Sequence, residues 1–526
     1  MPAAGVQTNP RRLLLRRAFA CALAGFGGVS TRLRAQGTPR FAAYPFSLGV
    51  ASGCPLPDGV VLWTRLAPDP RAADGGLDPV PVPVRWEVAE DAGFSRPVRS
   101  GTALALPERA HALHVEVDGL QPARWYYYRF TAGEGAQAAT SAVGRTLTAP
   151  AAGALPARLR FAFASCQHYE RGHFGAWRHL AAEEPELIVH LGDYIYESNL
   201  RGETVRRHWN PEPVTLDAYR IRYAQYRTDA DLQRAHALAP WLVTWDDHEV
   251  DNDYANDRAQ DLAPDFLARR TAAYRAYFEH MPLPGLAAPR GPEMQLYGRW
   301  AWGTLAQFFV LDCRQYRSHQ ACPRPGRGGS NVVEDCAELF EPQRTMLGAA
   351  QERWLAQGLR ASRAQWNVLA QSTLLARFDS KPGPGERYWT DGWSGYPAAA
   401  GRLVRELAES RARNPLVIGG DVHTHYVADV TADYADPASR VVASEFCGTS
   451  ITSPSLPQSQ IDAALPENPH ILLGDGRRRG YVLMDLQARS CTAHLRVIDD
   501  PRDANTGLAT RASFVVEDGR PGPRPA

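Results

Sequence analysis

The stretch WLVTWDDHEVDND, residues 241–253, decides the fold. Trp241 to Trp245 form a run too short for a helix, and one that suits a strand buried on both faces. The run stops at Asp246, and five acids, His248 and Asn252 follow within eight positions. In α/β folds, ligands bind where loops leave the carboxyl ends of the strands. A strand that opens into so many oxygen and nitrogen donors therefore calls for similar loops nearby.

Three such loops exist. LRFAFAS (159–165) runs into Cys166 and His168, ELIVHLG (186–192) into Asp193, Tyr196 and Glu197, and PLVIGG (415–420) into Asp421, His423 and His425. WNVLAQS (366–372) is a fifth short apolar run, ending near Gln371. Helical patterns at 216–238 and 351–362 lie between the strands, and 296–312 and 480–499 look like hairpins. The fold class read from this rhythm is α/β, with parallel and antiparallel strands. Taken singly the signals are ordinary. An Asp at a strand end usually caps a turn, Tyr196 alone suits a core, and Cys166 alone suits a disulfide. Their joint occurrence, each after an apolar strand, points to a site for more than one metal ion. A bridging carboxylate such as Asp193 can hold two cations roughly 3.5–4 Å apart, and His248 is placed to protonate a leaving alkoxide.

The chain has 526 residues, 44% of them hydrophobic and 22% charged, which exceeds one ordinary core and fits two domains. Residues 41–148 read as an N-terminal β-sandwich, with LQPARWYYYRF (120–130) aromatic on both faces of one strand. An Ala- and Pro-rich linker (148–158) leads into a catalytic domain spanning 158–510. Residues 1–35 hold six arginines, no acid and a short apolar stretch, as expected of an export leader. Without those arginines 52 basic residues face 57 acidic ones, a net charge of −5. Such a balance gives no nucleic-acid-binding face, and no segment is apolar enough for a transmembrane span. Cys54, Cys313, Cys322, Cys336, Cys447 and Cys491 are then available for disulfides, with pairing inside the 313–336 loop one option.

FASCQHYERG (163–172), HLGDYIYE (190–197), WLVTWDDHEVDNDYAND (241–257), YWTDGWSGYPAA (388–399) and GGDVHTHY (419–426) together resemble the alkaline phosphatase D (PhoD-like) family of calcineurin-like metallophosphoesterases. The resemblance covers nearly the whole chain, including the leader, whose arginine pairs resemble a twin-arginine signal. It implies a four-layer αββα metallophosphoesterase domain preceded by an immunoglobulin/fibronectin-like β-sandwich. It also implies a phosphate-ester substrate, the twin-arginine export machinery as partner, a periplasmic or secreted location, and one Fe(III) with two Ca(II) ions.

Carried over by position, the resemblance makes Cys166, Asp193, Tyr196, Asp247, Asp421 and His423 metal ligands and His248 the transition-state histidine. Tyr226, Asn252, Gln371, His425 and Glu197 rank second, as further metal or substrate contacts. Asp stands where the superfamily has Asn (Asp247) and His (Asp421), and Gln371 falls where it often has another His. The site is thus richer in oxygen, which favours calcium over zinc at the remaining positions.

The expected function is an exported alkaline phosphatase that hydrolyses phosphomonoesters, phosphodiesters or both by attack of a metal-bound hydroxide in a multinuclear site. The nearest rival is a phosphodiesterase or phospholipase-D-like enzyme of the same fold. A rival of another class is a non-catalytic, calcium-stabilised surface-binding protein. A zinc hydrolase of amides or lactams is opposed by the lack of His-x-His-x-Asp-His. The segment from Lys381 to Tyr396, rich in Gly, Pro and Trp, is read as a pocket wall, a lid or a long surface loop.

Overall fold

Short β-branched and aromatic runs place the strands where the sequence puts them. The computed structural model describes residues 40–526 apart from Pro437, so the expected leader (1–35) lies outside the described residues. Strands Arg158–Ala164, Leu187–Leu191 and Pro240–Thr244 pair in parallel at the centre of a ten-stranded sheet. Strands Ala306–Val310, Trp366–Ala370, Pro415–Gly419 and Val441–Cys447 pair in parallel within a seven-stranded one. The two expected hairpins are present as antiparallel pairs, Gly298–Trp302 with Ala306–Val310 and Gly480–Gln487 with Ser490–Ile498.

The two sheets share one apolar core. Phe161, Phe163, Val189 and Leu242 of the larger sheet meet Phe308, Val368, Leu416 and Ile418 of the smaller. Phe161 and Phe308 meet edge to face with ring centroids 5.3 Å apart, a favourable aromatic geometry. Helices Gly175–Ala182, Leu216–Arg227, Ala230–Leu238 and Phe266–His280 bury Trp177, Tyr223, Leu232 and Tyr274 in a core with Ile188 and Val243 of the larger sheet. Helices Gly348–Ala361 and Pro397–Glu409 bury Leu355, Leu359, Leu403 and Leu407 with Phe309, Leu369 and Val417 of the smaller.

The helical pattern at 216–238 is two helices, not one. Asp229 breaks it by capping the second helix, its carboxylate accepting the Asp231 and Leu232 N–H groups at 3.0 and 3.1 Å. An N-cap of this kind contributes about 1 kcal/mol.

The N-terminal segment forms a five-stranded sheet that includes Val82–Ala89, Pro97–Ala105 and Trp125–Ala132. Along the last of these, Tyr126, Tyr128 and Phe130 enter the core, while Trp125 and Arg129 lie on the half-buried face. There Arg145 stacks on Trp125 at 4.1 Å and Arg129 on Phe94 at 4.0 Å, so cations cover that face rather than a second apolar layer. Strands Val50–Leu56, Gly59–Arg65 and Ala112–Asp118 belong instead to the ten-stranded sheet, Val50–Leu56 pairing in parallel with Pro240–Thr244. The expected linker is anchored: the Ala149 N–H donates to Leu56 O (3.1 Å) and the Thr304 N–H to Ala154 O (2.7 Å).

Of the six cysteines available for disulfides, Cys322 and Cys336 pair, 14 residues apart and within the expected loop. Cys54, Cys313, Cys447 and Cys491 are free and buried, as is Cys166. The apolar interior accounts for it, since a free cysteine packs there as a small hydrophobe. Replacing both Cys322 and Cys336 by alanine should lower the unfolding free energy by about 2–4 kcal/mol in denaturant titration, with metal content unchanged.

Candidate metal centre

The parallel strands bring their loops to one crevice. Cys166 follows Arg158–Ala164, Asp193 follows Leu187–Leu191, and Asp247 and His248 follow Pro240–Thr244. From the facing sheet, Asp421 and His423 follow Pro415–Gly419. Cys166, Asp193, Asp421 and His423 have left-handed backbones, with φ of 60°, 55°, 63° and 54°. Side-chain-bearing residues seldom adopt that conformation, and it persists where the surroundings over-determine it, chiefly at functional sites.

Cys166, Asp193 and His423 present ligand atoms within 4.8 Å of one another, as do Asp193, Asp247 and His248, and as do Asp246, Asp247 and Asp421. Asp193 belongs to two of these groups. The Tyr196 hydroxyl donates to Asp193 Oδ2 at 2.8 Å and stands 3.2 Å from His423 Nε2. His423 Nδ1 donates to Pro454 O at 2.9 Å, which leaves Nε2 with its lone pair towards the cluster.

Asp193 Oδ1, Asp247 Oδ1 and Asp421 Oδ2 are buried without a hydrogen-bond partner. Burial and the neighbouring carboxylates push Asp193 and Asp421 well above the usual carboxylate range, and burial pushes Asp247 up to about 6. Burial likewise raises the Cys166 thiol and the Tyr196 phenol, with Asp193 adding to both, and holds His423 down at about 3. Orphaned carboxylate oxygens, a neutral imidazole nitrogen, a thiol and a phenol facing one another at this cost form a donor set that fits bound cations.

His248 sits at the edge of this cluster. Its Nδ1 donates to Glu197 Oε2 at 2.7 Å, and its ring stacks on Tyr196 with centroids 4.0 Å apart. Glu197 also accepts the Asn252 N–H at 3.1 Å. Burial would raise the Glu197 carboxyl, but the His248 imidazolium holds it at about 2.

The other second-rank candidates lie elsewhere. Tyr226 accepts the Tyr169 and Tyr196 N–H groups at 3.1 and 3.0 Å and stands 3.1 Å from His208 Nε2, so its hydroxyl fastens backbone. The Gln371 amide is consumed by the Thr373 N–H (3.0 Å) and the Trp393 indole (3.1 Å). His425 is buried and accepts the Thr449 N–H at 3.2 Å.

Several supporting residues escaped the sequence pattern. Glu249 accepts the N–H groups of Asp193, Tyr194 and Asp246 at 3.2, 2.6 and 2.9 Å, locking the loops after two neighbouring strands together. Its place in the acidic run was visible, but its direction was not. Ser453 donates to the Tyr196 hydroxyl at 2.7 Å across 257 residues, and Arg314 pairs with Asp246 across 68. Neither carries a local signal.

Asp193, Asp247, His248, Asp421 and His423 open into a cavity of about 840 Å³. The Lys381–Tyr396 segment supplies one wall, with Arg387, Trp389 and Trp393 lining the cavity, and Leu456 and Ile461 line it from the 454–464 segment. A PhoD-like phosphatase family model matches residues 161–495, and that family's N-terminal domain model matches 31–150.

The chain belongs to the PhoD-like phosphatase family. Alkaline phosphatase D of Bacillus subtilis (strain 168) is 45% identical over 497 residues, covering 92% of this chain and 83% of that protein. The solved structure of PhoD superposes with a TM-score of 0.88 at 44% identity, covering 93% of each chain. This PhoD-like chain is therefore a phosphoric ester hydrolase by family, with acidic, imidazole and thiol groups gathered where a metal-dependent hydrolase needs them. No helix among the described residues is long and apolar enough to cross a membrane.

Proposed function

We propose that the protein is an exported alkaline phosphatase whose hydrolytic centre is the Cys166–Asp193–Asp247–His248–Asp421–His423 cluster. The observation that carries this is the convergence of partnerless carboxylate oxygens from two facing sheets at the floor of one cavity. The two sheets with helices on their outer faces support a four-layer αββα metallophosphoesterase scaffold. The core that Val82–Ala89 and Trp125–Ala132 share with Gly59–Arg65 and Ala112–Asp118 supports a β-sandwich of immunoglobulin/fibronectin type within 41–148, one layer of it continuous with the larger sheet. The arginine-rich leader supports twin-arginine export.

Cys166, Tyr196, Asp193 and His423 would hold Fe(III), a donor set of thiolate, phenolate, carboxylate and imidazole. Asp193, Asp247 and Asp421 offer the oxygens that suit Ca(II), probed as two ions. Held by these residues, such cations would supply Lewis acidity for water activation and positive charge for the phosphoryl oxygens. The protein's own residues do the rest. Asp193 orients the two halves of the cluster, and Glu249 fixes the loops that carry it. His248, held through Nδ1 by Glu197, has Nε2 left to protonate the departing oxygen.

Visible spectroscopy with metal analysis tests the assignment. Purified protein should show charge-transfer colour whose maximum Tyr196→Phe shifts, by removing the phenolate contribution, and Tyr226→Phe leaves in place. Colourless protein containing only zinc would overturn the iron assignment.

The cavity favours diesters as a second reading. Its volume of about 840 Å³ far exceeds one phosphate group, and Phe378, Trp389, Leu456 and Ile461 give it apolar walls. Rates on a phosphomonoester, a simple diester and a phosphatidyl lipid, measured at alkaline pH with Ca(II), rank these possibilities.

A further inference from the structure

Asp246 and Asp247 are neighbours in sequence but have opposite fates. Asp247 lines the cavity, whereas Asp246 is gripped by Arg314, whose Nε and Nη2 donate to its two oxygens at 2.6 and 2.9 Å. Both side chains of the pair are almost fully buried, at 0% and 1% exposure. The same guanidinium lies 3.5 Å from Asp247 Oδ1 and 2.7 Å from Asp391 Oδ2. Asp391 belongs to the cavity-wall segment and is itself held by Arg317 and Gln320, each at 2.7 Å. Arg314 is in turn fixed from behind, its backbone N–H donating to Asp312 Oδ1 at 2.9 Å.

Asp246, Asp247 and Asp421 nevertheless present oxygens within 4.8 Å of one another, close enough to form a cation site together. A bidentate Arg–carboxylate fork occupies both Asp246 oxygens with the strongest neutralising partner a side chain can offer. A buried Arg314 without Asp246, or Asp246 without Arg314, would leave an uncompensated charge next to the ligands.

Resting on the metal-centre reading above, we propose that Arg314 is a positioning residue, a built-in cation that keeps Asp246 out of the metal-ligand set and thereby limits how many divalent ions the cluster takes. Asp391 ties this fixed cation to the cavity wall, so the wall and the ligand loop share one anchor.

The test measures calcium stoichiometry and affinity by calorimetry on the full chain, for the unmodified protein and for Asp247→Asn, Arg314→Gln and the charge-balanced Asp246→Asn/Arg314→Gln pair. Arg314→Gln frees Asp246 and is expected to gain one calcium equivalent or at least tenfold in affinity. The double variant removes one charge of each sign and is expected to keep the unmodified stoichiometry, with affinity within threefold. It also remains informative if Arg314→Gln alone fails to fold. Loss of an equivalent, or more than tenfold in affinity, in the double variant makes Asp246 a ligand and overturns the proposal. So does a folded Arg314→Gln protein that binds calcium as the unmodified one does. Asp247→Asn separates the two levels of inference, because its failure to weaken calcium binding sinks the metal-centre reading itself. A purely structural Arg314 would lower Tm in both Arg314 variants and leave the calcium count unchanged.

Discussion

Replacing His248 by alanine is expected to lower kcat by about 10²–10⁴, the range over which a positioned general acid acts. The loss should grow with the basicity of the leaving group. An alkyl alkoxide needs the proton that His248 holds, whereas a nitrophenolate departs without it. Metal content should stay at the unmodified level. An equal loss for both leaving groups, accompanied by loss of metal, would make His248 a ligand and not an acid.

Glu197 is what prepares this histidine. Burial alone would lower the His248 pKa, but Glu197, Asp247 and Asp193 together raise it well above its ordinary value. Glu197→Gln keeps a carbonyl oxygen for Nδ1–H and removes the charge. A general acid works only while protonated, so the basic limb of the pH–rate profile should move to lower pH in this variant. The pair also has a stability signature. The His248 contribution is complete below its unfolded value near 6.5 and is lost as pH rises through the raised folded value. The Glu197 contribution is complete above its unfolded value near 4.5 and is lost as pH falls towards about 2. At neutral pH both are present, and breaking so buried a pair costs about 3–5 kcal/mol.

The ligand loops were legible because each follows a short apolar strand, and parallel strands in one sheet must deliver their carboxyl ends to the same side. This logic brings Cys166, Asp193 and Asp247 together on one sheet, and Asp421 reaches them from the facing sheet. It misled at Gln371, which also ends a strand, because position at a strand end does not fix side-chain direction. There the Trp393 indole and the Thr373 backbone take the amide instead. Tyr226 had the right chemistry, but its helix turns the hydroxyl to two backbone N–H groups. The Asp246–Arg314–Asp391 chain joins three distant segments, and no periodicity within any one of them records it. The strands at 50–65 and 112–118 read correctly as β structure, but alternation does not reveal which sheet a strand joins. They extend the sheet that carries Cys166, Asp193 and Asp247.

Stripping the metals should produce a protein whose stability falls more steeply than that of the loaded protein as pH rises above about 7. The sign follows from which groups bind protons. Asp193 and Asp421 are pushed well above the usual carboxylate range by burial and by each other's neighbours, and burial lifts Asp247 to about 6. An acid whose folded pKa is raised binds its proton more tightly in the native state, so its stabilisation is complete below the unfolded value near 4 and is lost as pH climbs through the folded one.

Buried histidines work in the opposite direction. Burial lowers His168 and His190 to about 3 and His114 to about 4. Their neutral forms favour the fold above the unfolded value near 6.5 and oppose it below. The two effects compete from about pH 4 to 6.5, and only the acids remain active above. Glu249 at about 8 and Glu445 at about 7 add to the decline, again through burial, but they are not ligands and act in both forms. The difference between stripped and loaded protein therefore isolates the ligand carboxylates, because a carboxylate bound to a cation no longer takes up a proton. Asp247, raised only to about 6, gives up its share, on the order of 3 kcal/mol from roughly two pKa units at 1.36 kcal/mol each, before pH 7, so the steeper decline above that reports Asp193 and Asp421. Chemical unfolding at pH 7, 8 and 9, with and without chelation and metal return, measures the gap. A stripped protein that loses no more stability than the loaded one between pH 7 and pH 9 would show that the partnerless carboxylates are not the place where the cations sit.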